Sequence, residues 1–568
     1  MLFKKLTVLL LIVGLAFAFV AGACGDDPLG GSIPDLTPED DDTDKGDLTK
    51  ALSDPVEDPN VPLVNYISGP DALSTGIEFT PLTLGLMPGD TTTEINLNWY
   101  SAGTPAGKVA QVRFVRGTFA SGRGLIEETG AVDTAAGNTS HKVTVQGLWT
   151  GASYQYMVSS NGEDWSPAYD LKVPSIVGAF RFAVASDPQL TTGSIDVNSR
   201  YPAVGTTTAA GWLETMTKIV AKNVSFIAFC GDQVDASNGN ETEYTNFFAP
   251  PGLRNLPFSP VSGNHDNHLH FNYHYNLPNV QTFETETVAT AAGRNYFYLY
   301  NNILFVVLNT APYAPGTNTN QNNVFSVADA TPHITRFRST IQEAKTKFAG
   351  KYEWLIVQHH KSTASVADHL ADRDIQGYVE AGFEKLMSDE NVDLVIAGHD
   401  HVYARSYPLR GRDNGYVSVP IKTGFPAASG STWTNPGNPI YFTFTTGSGL
   451  KYYAVAPDPT FNYTSSLYVQ NNTAYPYLDA IDASMGAGQE KSTKVGSSDY
   501  LTKNYLPVSN AAFVQPYIPS YTIVDVNGKS ITFKTYAITT KTGTNPGVTT
   551  PYSFDENTPY DEITITKN

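Results

Sequence analysis

Between about residues 71 and 174, apolar and polar positions alternate with a period of two. The apolar members are Ile95, Leu97 and Trp99, then Val112 and Phe114, Val143 and Val145, and Tyr154, Tyr156 and Val158. Turn residues separate these runs, which predicts a small antiparallel β-sandwich. From about Ala179 the pattern changes to short apolar strands alternating with helical spacing. The predicted strands are Phe182–Ser186, Val224–Cys230, a hairpin over Asn295–Thr310, Trp354–His359 and Val392–Ala397. Between them Trp212, Leu213, Met216, Ile219 and Val220 keep a 3.6-residue period, as do Ile334, Phe337, Ile341 and Phe348. Val379, Phe383, Leu386 and Met387 repeat it in what reads as one helix. Strands joined by helical crossovers predict an α/β domain. Past Gly411 the chain is irregular, with a strand over Ile440–Thr446. A closing hairpin over 521–536 is predicted to turn at Asn527-Gly528 through a type I′ turn.

The N-terminus follows a different logic. Lys4 and Lys5 precede an apolar run, Leu6–Val20, that ends in Ala21-Gly22-Ala23-Cys24. That order predicts a signal peptide over residues 1–23 and export, with lipidation of Cys24 tethering the chain to a membrane. Cleavage without lipidation would leave a secreted protein. From Gly25 to Pro62, twelve acidic residues face only Lys45 and Lys50, so residues 24–66 read as an extended, self-repelling tether. The net charge of -19 over 568 residues is therefore concentrated outside the folded part. No basic stripe exists to release counterions from nucleic acid. Two cysteines cannot build a disulfide framework.

Ten of the eleven histidines fall between positions 265 and 401. Chemistry-bearing residues follow the predicted strands at five places: Ser186-Asp187-Pro188-Gln189, Gly231-Asp232, Gly263-Asn264-His265-Asp266, His359-His360 and Gly398-His399-Asp400-His401. Strand ends are where an open α/β sheet gathers ligands from distant parts of a chain. Carboxylate, carboxamide and imidazole without thiolate suit divalent Mn, Mg, Zn or Fe.

This ordered set resembles the calcineurin-like metallophosphoesterase superfamily, with its D-x-H, GDxxD, GNH[DE], strand-terminal His and GHxH blocks. GHDHVYARSYP from Gly398, with Trp-Leu-Ile-Val before the histidine pair, is most similar to the purple-acid-phosphatase branch. That branch often carries an N-terminal fibronectin III-like sandwich, and Leu148 with Tyr154 resembles the tyrosine corner of such domains. The resemblance implies a sandwich over 67–176 and a metallophosphoesterase domain of two sheets flanked by helices over 177–568. The latter would hold an irregular insertion at about 456–515. Two divalent metal ions are implied, bridged by Asp232. Asp187 and His401 would hold one, with Gln189 as a weak further ligand, and Asn264, His360 and His399 the other. The branch spacing selects His360 over His359. His265 and His369 would face the phosphate, and one or the other, protonated, would donate to the leaving oxygen, with Asp266 raising the pKa of His265.

Two departures matter. Asp235 stands where the purple enzymes have the tyrosine that colours ferric iron, and Gln189 replaces a histidine. Both disfavour Fe(III). The implied reaction is hydrolysis of a small phosphate monoester by hydroxide held between the metals. A phosphodiesterase or nucleotide hydrolase with the same metal core, and a surface binding lipoprotein with a vestigial site, are the alternatives.

Overall fold

The computed structural model describes residues 80–568 except 121, 136, 193–206, 237–239, 267–268, 283–293, 312–326, 368, 370–371, 412–417, 454–467, 470–508 and 545–550. The apolar run, Cys24, the acidic stretch 24–66 and most of 456–515 lie outside the described residues. Among the described residues no helix is long and apolar enough to cross a membrane.

Seven strands open the described chain: β1 (Leu84–Pro88), β2 (Ile95–Ala102), β3 (Ala110–Arg116), β4 (Arg123–Ala135), β5 (Asn138–Val145), β6 (Ser153–Ser159) and β7 (Tyr169–Lys172). They pair in the order β1-β2-β5-β4-β3-β6-β7, and every pair is antiparallel. The apolar members of the alternating runs, from Leu97 and Trp99 to Tyr156 and Val158, share one core. The backbone N–H of Trp149 donates to the Tyr154 hydroxyl at 2.9 Å, closing the corner before β6.

The polar members of the alternation do not all face water. Asn98 Nδ2 and Ser140 Oγ donate to the Tyr273 carbonyl at 2.8 and 2.6 Å, and Lys142 donates to that of Asn272. Asn276 Nδ2 returns a bond to the Val143 carbonyl at 3.1 Å. The accepting carbonyls lie at the C-terminal end of the helix Leu269–His274, where helix carbonyls have no intrahelical partner. This face of the sandwich thus caps the helix that leaves the His265 loop.

The α/β part continues with β8 (Phe180–Ala185), β9 (Ile227–Phe229), β10 (Phe258–Ser259), β11 (Tyr296–Tyr300), β12 (Ile303–Val307), β13 (Trp354–Lys361), β14 (Leu394–Gly398) and β15 (Tyr403–Ser406). Then come β16 (Leu409–Arg410), β17 (Val419–Pro420), β18 (Ser431–Thr434), β19 (Ile440–Thr443), β20 (Tyr468–Val469) and β21 (Asn510–Val514). The chain closes with β22 (Ser520–Asn527), β23 (Ser530–Ala537), β24 (Lys541–Thr544), β25 (Pro551–Phe554) and β26 (Asp561–Thr566).

Two mixed sheets result, β10-β9-β8-β22-β23-β26-β18 and β11-β12-β13-β14-β19-β15-β21-β20. Phe182 and Val184 of the first and Phe305, Ile356, Ile396 and Phe442 of the second share one buried core. Helices Thr208–Ala221 and Glu241–Phe248 cover the outer face of the first sheet through Trp212, Met216, Ile219 and Phe247. Helices Val327–Lys347, Arg373–Glu380 and Phe383–Asp389 cover the second through Phe337, Ile341, Tyr378 and Phe383. With both faces covered, the central strands read as unbroken apolar runs rather than as alternation.

Two local expectations need correction. The single helix expected around Val379–Met387 is two, because Gly382 at φ 92° breaks it. In the closing hairpin Asn527 pairs with Ser530, so the turn residues are Gly528 and Lys529. Only Gly528 of these has a positive φ, at 54°, and a type I′ turn needs it at both.

Candidate active site

All five sequence blocks meet at one end of the two sheets. Asp187 and Gln189 follow β8, Asp232 follows β9, Asn264 and His265 follow β10, His360 lies near the end of β13, and His399 and His401 follow β14. Five of these residues sit at positive φ: Asp187 (45°), Gln189 (38°), Asp232 (50°), His399 (73°) and His401 (48°). For non-glycine residues that conformation costs energy, and it persists only where surrounding contacts over-determine it. Here the contacts are visible. Asp187 N–H donates to the Gly231 carbonyl at 3.1 Å and Gln189 N–H to that of Asp232 at 2.8 Å. The Thr446 hydroxyl holds the Asp187 carbonyl at 2.8 Å.

The glycines of the blocks are there for closeness. A Cβ at Gly263 would lie 2.0 Å from Asp232 Oδ1, and one at Gly398 would lie 2.3 Å from Asp187 Oδ2. Neither neighbour is a flexible chain end, so the carboxylates fit only where there is no side chain.

Hydrogen bonds assign the histidine nitrogens. His360 Nδ1 donates to the Cys230 carbonyl at 2.8 Å, which leaves Nε2 at 2.9 Å from Asn264 Oδ1 and 3.3 Å from Asp232 Oδ2. His401 Nδ1 donates to the Lys451 carbonyl at 2.7 Å, leaving Nε2 at 3.4 Å from Asp187 Oδ1. The backbone N–H of His399 donates to both Asp187 oxygens, at 3.1 and 3.0 Å. Asp232, His360 and His399 bring ligand atoms within 4.8 Å of one another.

Electrostatics follow from this crowding. Burial opposes ionisation of Asp232, yet His360 and His265 beside it hold its carboxyl well below the usual range. Burial works against His360 too, but Asp232 and Asp187 raise it to about 9. Burial and the surrounding cations push His399 well down.

Divalent cations fit this donor set. Gln189 gives its Nε2–H to Asp232 Oδ2 at 3.2 Å, while its Oε1 is buried with no hydrogen-bond partner among the described residues. A buried oxygen left without a donor is costly unless something else satisfies it. The residues expected to hold metals are thus gathered in one place, and they offer oxygen and imidazole donors without thiolate.

His359 points to the opposite side of β13, where it packs on the Phe383 ring at 4.8 Å. Asp266 does not touch the His265 ring. Its carboxylate is fully buried and accepts from the backbone N–H groups of Gln233, Val234 and Gly263 at 2.9, 3.2 and 3.1 Å. Adjacent residues of a tight loop point their side chains apart, and the one after His265 turns inward. Burial and Asp232 raise the Asp266 carboxyl to about 8. His265 Nδ1 instead bonds the Asp235 carbonyl, with Asp235 Oδ1 at 3.5 Å. The carboxylate partner expected at His265 occurs at His369, whose Nδ1 lies 2.9 Å from Asp400 Oδ1. Burial opposes protonation of His369, but Asp400 raises its pKa.

A pocket of about 220 Å³ opens over this floor, lined by Gln189, Asp232, Asn264, His265, His369, His399 and His401. It is also lined by Lys361, Asp372, Asp374, Lys451 and Tyr453, which sequence reasoning missed. Lys361 directly follows His360 and carried a signal; Lys451 and Tyr453 lie in a Gly-rich stretch that carried none. His270 and His274 lie elsewhere, both bonded to Glu241, with His274 stacked between Tyr100 and Tyr244.

Comparison with known proteins agrees with this geometry. Residues 180–403 match the family model described as calcineurin-like phosphoesterase. Two uncharacterised proteins of Mycobacterium tuberculosis, from strains CDC 1551 and H37Rv, are 32% identical over 78 residues. That stretch is 14% of this chain and spans only 14% of the length of those relatives. The purple acid phosphatase from yellow lupin (Lupinus luteus) seeds superposes with a TM-score of 0.55 at 14% identity, covering 85% of this chain and 74% of its own. Residues 180–403 are thus similar to the calcineurin-like phosphoesterases, and the chain shares the fold of that purple acid phosphatase.

Proposed function

We propose that the protein is an exported, metal-dependent phosphoric ester hydrolase acting on small phosphate monoesters. One observation carries this reading: Asp187, Asp232, Asn264, His360, His399 and His401 converge beneath a single pocket beside the unpartnered Gln189 Oε1. In this reading Asp187, Gln189 and His401 hold one divalent cation and Asn264, His360 and His399 the other, with Asp232 shared. When bound, such cations supply Lewis acidity and lower the pKa of water, and Mn, Zn, Mg and Fe(II) all suit these ligands.

The chain's own residues do the rest. The Cys230 and Lys451 carbonyls fix the two ligand imidazoles by their far nitrogens, as orienting partners of metal-bound histidines do. His369, turned by Asp400, stands at the pocket as the donor of a proton to the leaving oxygen. His265 lines the same pocket and serves as a phosphate contact. The apolar run Leu6–Val20, Cys24 and the acidic stretch behind it support export and lipid anchoring. The β1–β7 sandwich is a fibronectin III-like module that steadies the helix after the His265 loop.

The test is hydrolysis of a panel of phosphate mono- and diesters by protein stripped of metal and then resupplied. Monoester turnover that returns with metal supports the reading. Folded protein that takes up metal and hydrolyses neither class would overturn it in favour of a binding lipoprotein, and diester preference would favour a phosphodiesterase.

A further inference from the structure

Two lysines line the pocket, and the structure uses them differently. Lys361 is buried and forms an ion pair with Asp374, so its charge is already matched. Lys451 has no carboxylate partner among the described residues; its ammonium lies 5.6 Å from the centre of the Tyr453 ring. Its position is not left to chance. The Lys451 carbonyl accepts from His401 Nδ1 at 2.7 Å, which ties the residue to a ring of the site's floor. Two residues on, the Tyr453 ring lies edge-on to His369 at 4.1 Å and to His401 at 5.0 Å. Gln515 Nε2 reaches both the Tyr453 and His401 carbonyls and holds the segment down. The pocket therefore presents one uncompensated cation on a fixed backbone, beside the histidine proposed to serve the leaving oxygen.

We infer that Lys451 is a substrate-binding residue that takes an anionic oxygen of the phosphate ester and thereby selects monoesters over diesters. The inference rests on the phosphoesterase reading above. A phosphate monoester carries close to two negative charges at neutral pH and a diester one. An ammonium carried on this anchored backbone discriminates between them, because charge-assisted hydrogen bonds are the strong ones. About 220 Å³ leaves room for a phosphate and a leaving group of few atoms, so the cation meets the phosphate itself.

The test compares wild type, Lys451→Met and Lys451→Arg in two measurements. Calorimetric titration with inorganic phosphate on the metal-loaded proteins should show affinity weakened roughly ten- to a hundred-fold in Lys451→Met, the size of one charge-assisted hydrogen bond. Lys451→Arg should recover most of it. With p-nitrophenyl phosphate, Lys451→Met should raise KM while kcat changes little, and bis(p-nitrophenyl) phosphate should suffer clearly less. Unchanged phosphate affinity, or equal losses on both esters, overturns the inference while leaving the phosphoesterase reading intact. A wild type that hydrolyses neither ester defeats that reading, and the phosphate titration still decides the role of Lys451.

Discussion

Nδ1 of His369 lies 2.9 Å from Oδ1 of Asp400, and this pair is the imidazole–carboxylate dyad of the pocket. The dyad joins the loop after β13 to the loop after β14, 31 residues apart. In the proposed reaction this makes His369 the proton donor, whereas adjacency to Asp266 in the sequence pointed to His265. His369→Ala should therefore lose roughly 10²–10⁴-fold in turnover of an alkyl phosphate, the range for a general acid. A nitrophenyl phosphate, whose leaving group needs no proton, should lose much less. Equal losses on both substrates would move the role to His265.

His359 and His360 lie on opposite sides of β13, as strand alternation requires. His360→Ala should lose about one bound metal per chain and most activity. His359→Leu should keep both, because its ring packs against Phe383 and not the pocket. Metal content by mass spectrometry of the purified variants reads this directly; the reverse pattern would refute the assignment.

Asp266 accepts three backbone N–H groups from the loops that carry Asp232 and His265. Asp266→Ala would strand those donors in a dry interior, at about 1–3 kcal/mol for each buried group left unsatisfied. The melting temperature should fall by several degrees, and pH–rate profiles of the active remainder should keep their shape. A shifted profile with unchanged stability would restore a role in proton transfer.

Colour tests the loop after β9. Asp235, not a tyrosine, stands beside His265, so iron-loaded protein should be nearly colourless. Visible spectroscopy checks this. An intense visible band lost in Tyr453→Phe would show that a tyrosine from elsewhere in the pocket ligates iron.

The sandwich carries its own acid sensitivity. His141 is buried, stacked on Trp99 at 5.0 Å, and burial lowers its pKa to about 4 from an ordinary 6.5. Between those values the unfolded chain binds the extra proton and the folded chain does not. Stability must then fall as pH drops from about 6.5 towards 4, and rise with pH in that window. Urea midpoints across that range should decline less steeply in His141→Phe. An identical slope would assign the acid sensitivity elsewhere.

The sequence by itself determined the order of elements, the β-to-α/β change near residue 179, and the five blocks that meet at the site. Periodicity is a local property, and the five blocks carry their chemistry in contiguous residues, each following a strand. What adjacency could not supply was direction. Asp266 follows His265 in the chain yet turns into the interior, while Asp400 reaches His369 from another strand. The alternation of β2 and β5 does not say what their polar residues meet, and Asn98 and Ser140 bond the Tyr273 carbonyl. Lys451 and Tyr453 lie in a stretch without motif or period, and enter the pocket because Gln515 and His401 hold their backbone. Side-chain direction and partners depend on contacts between residues far apart in sequence, so only the tertiary structure could decide them.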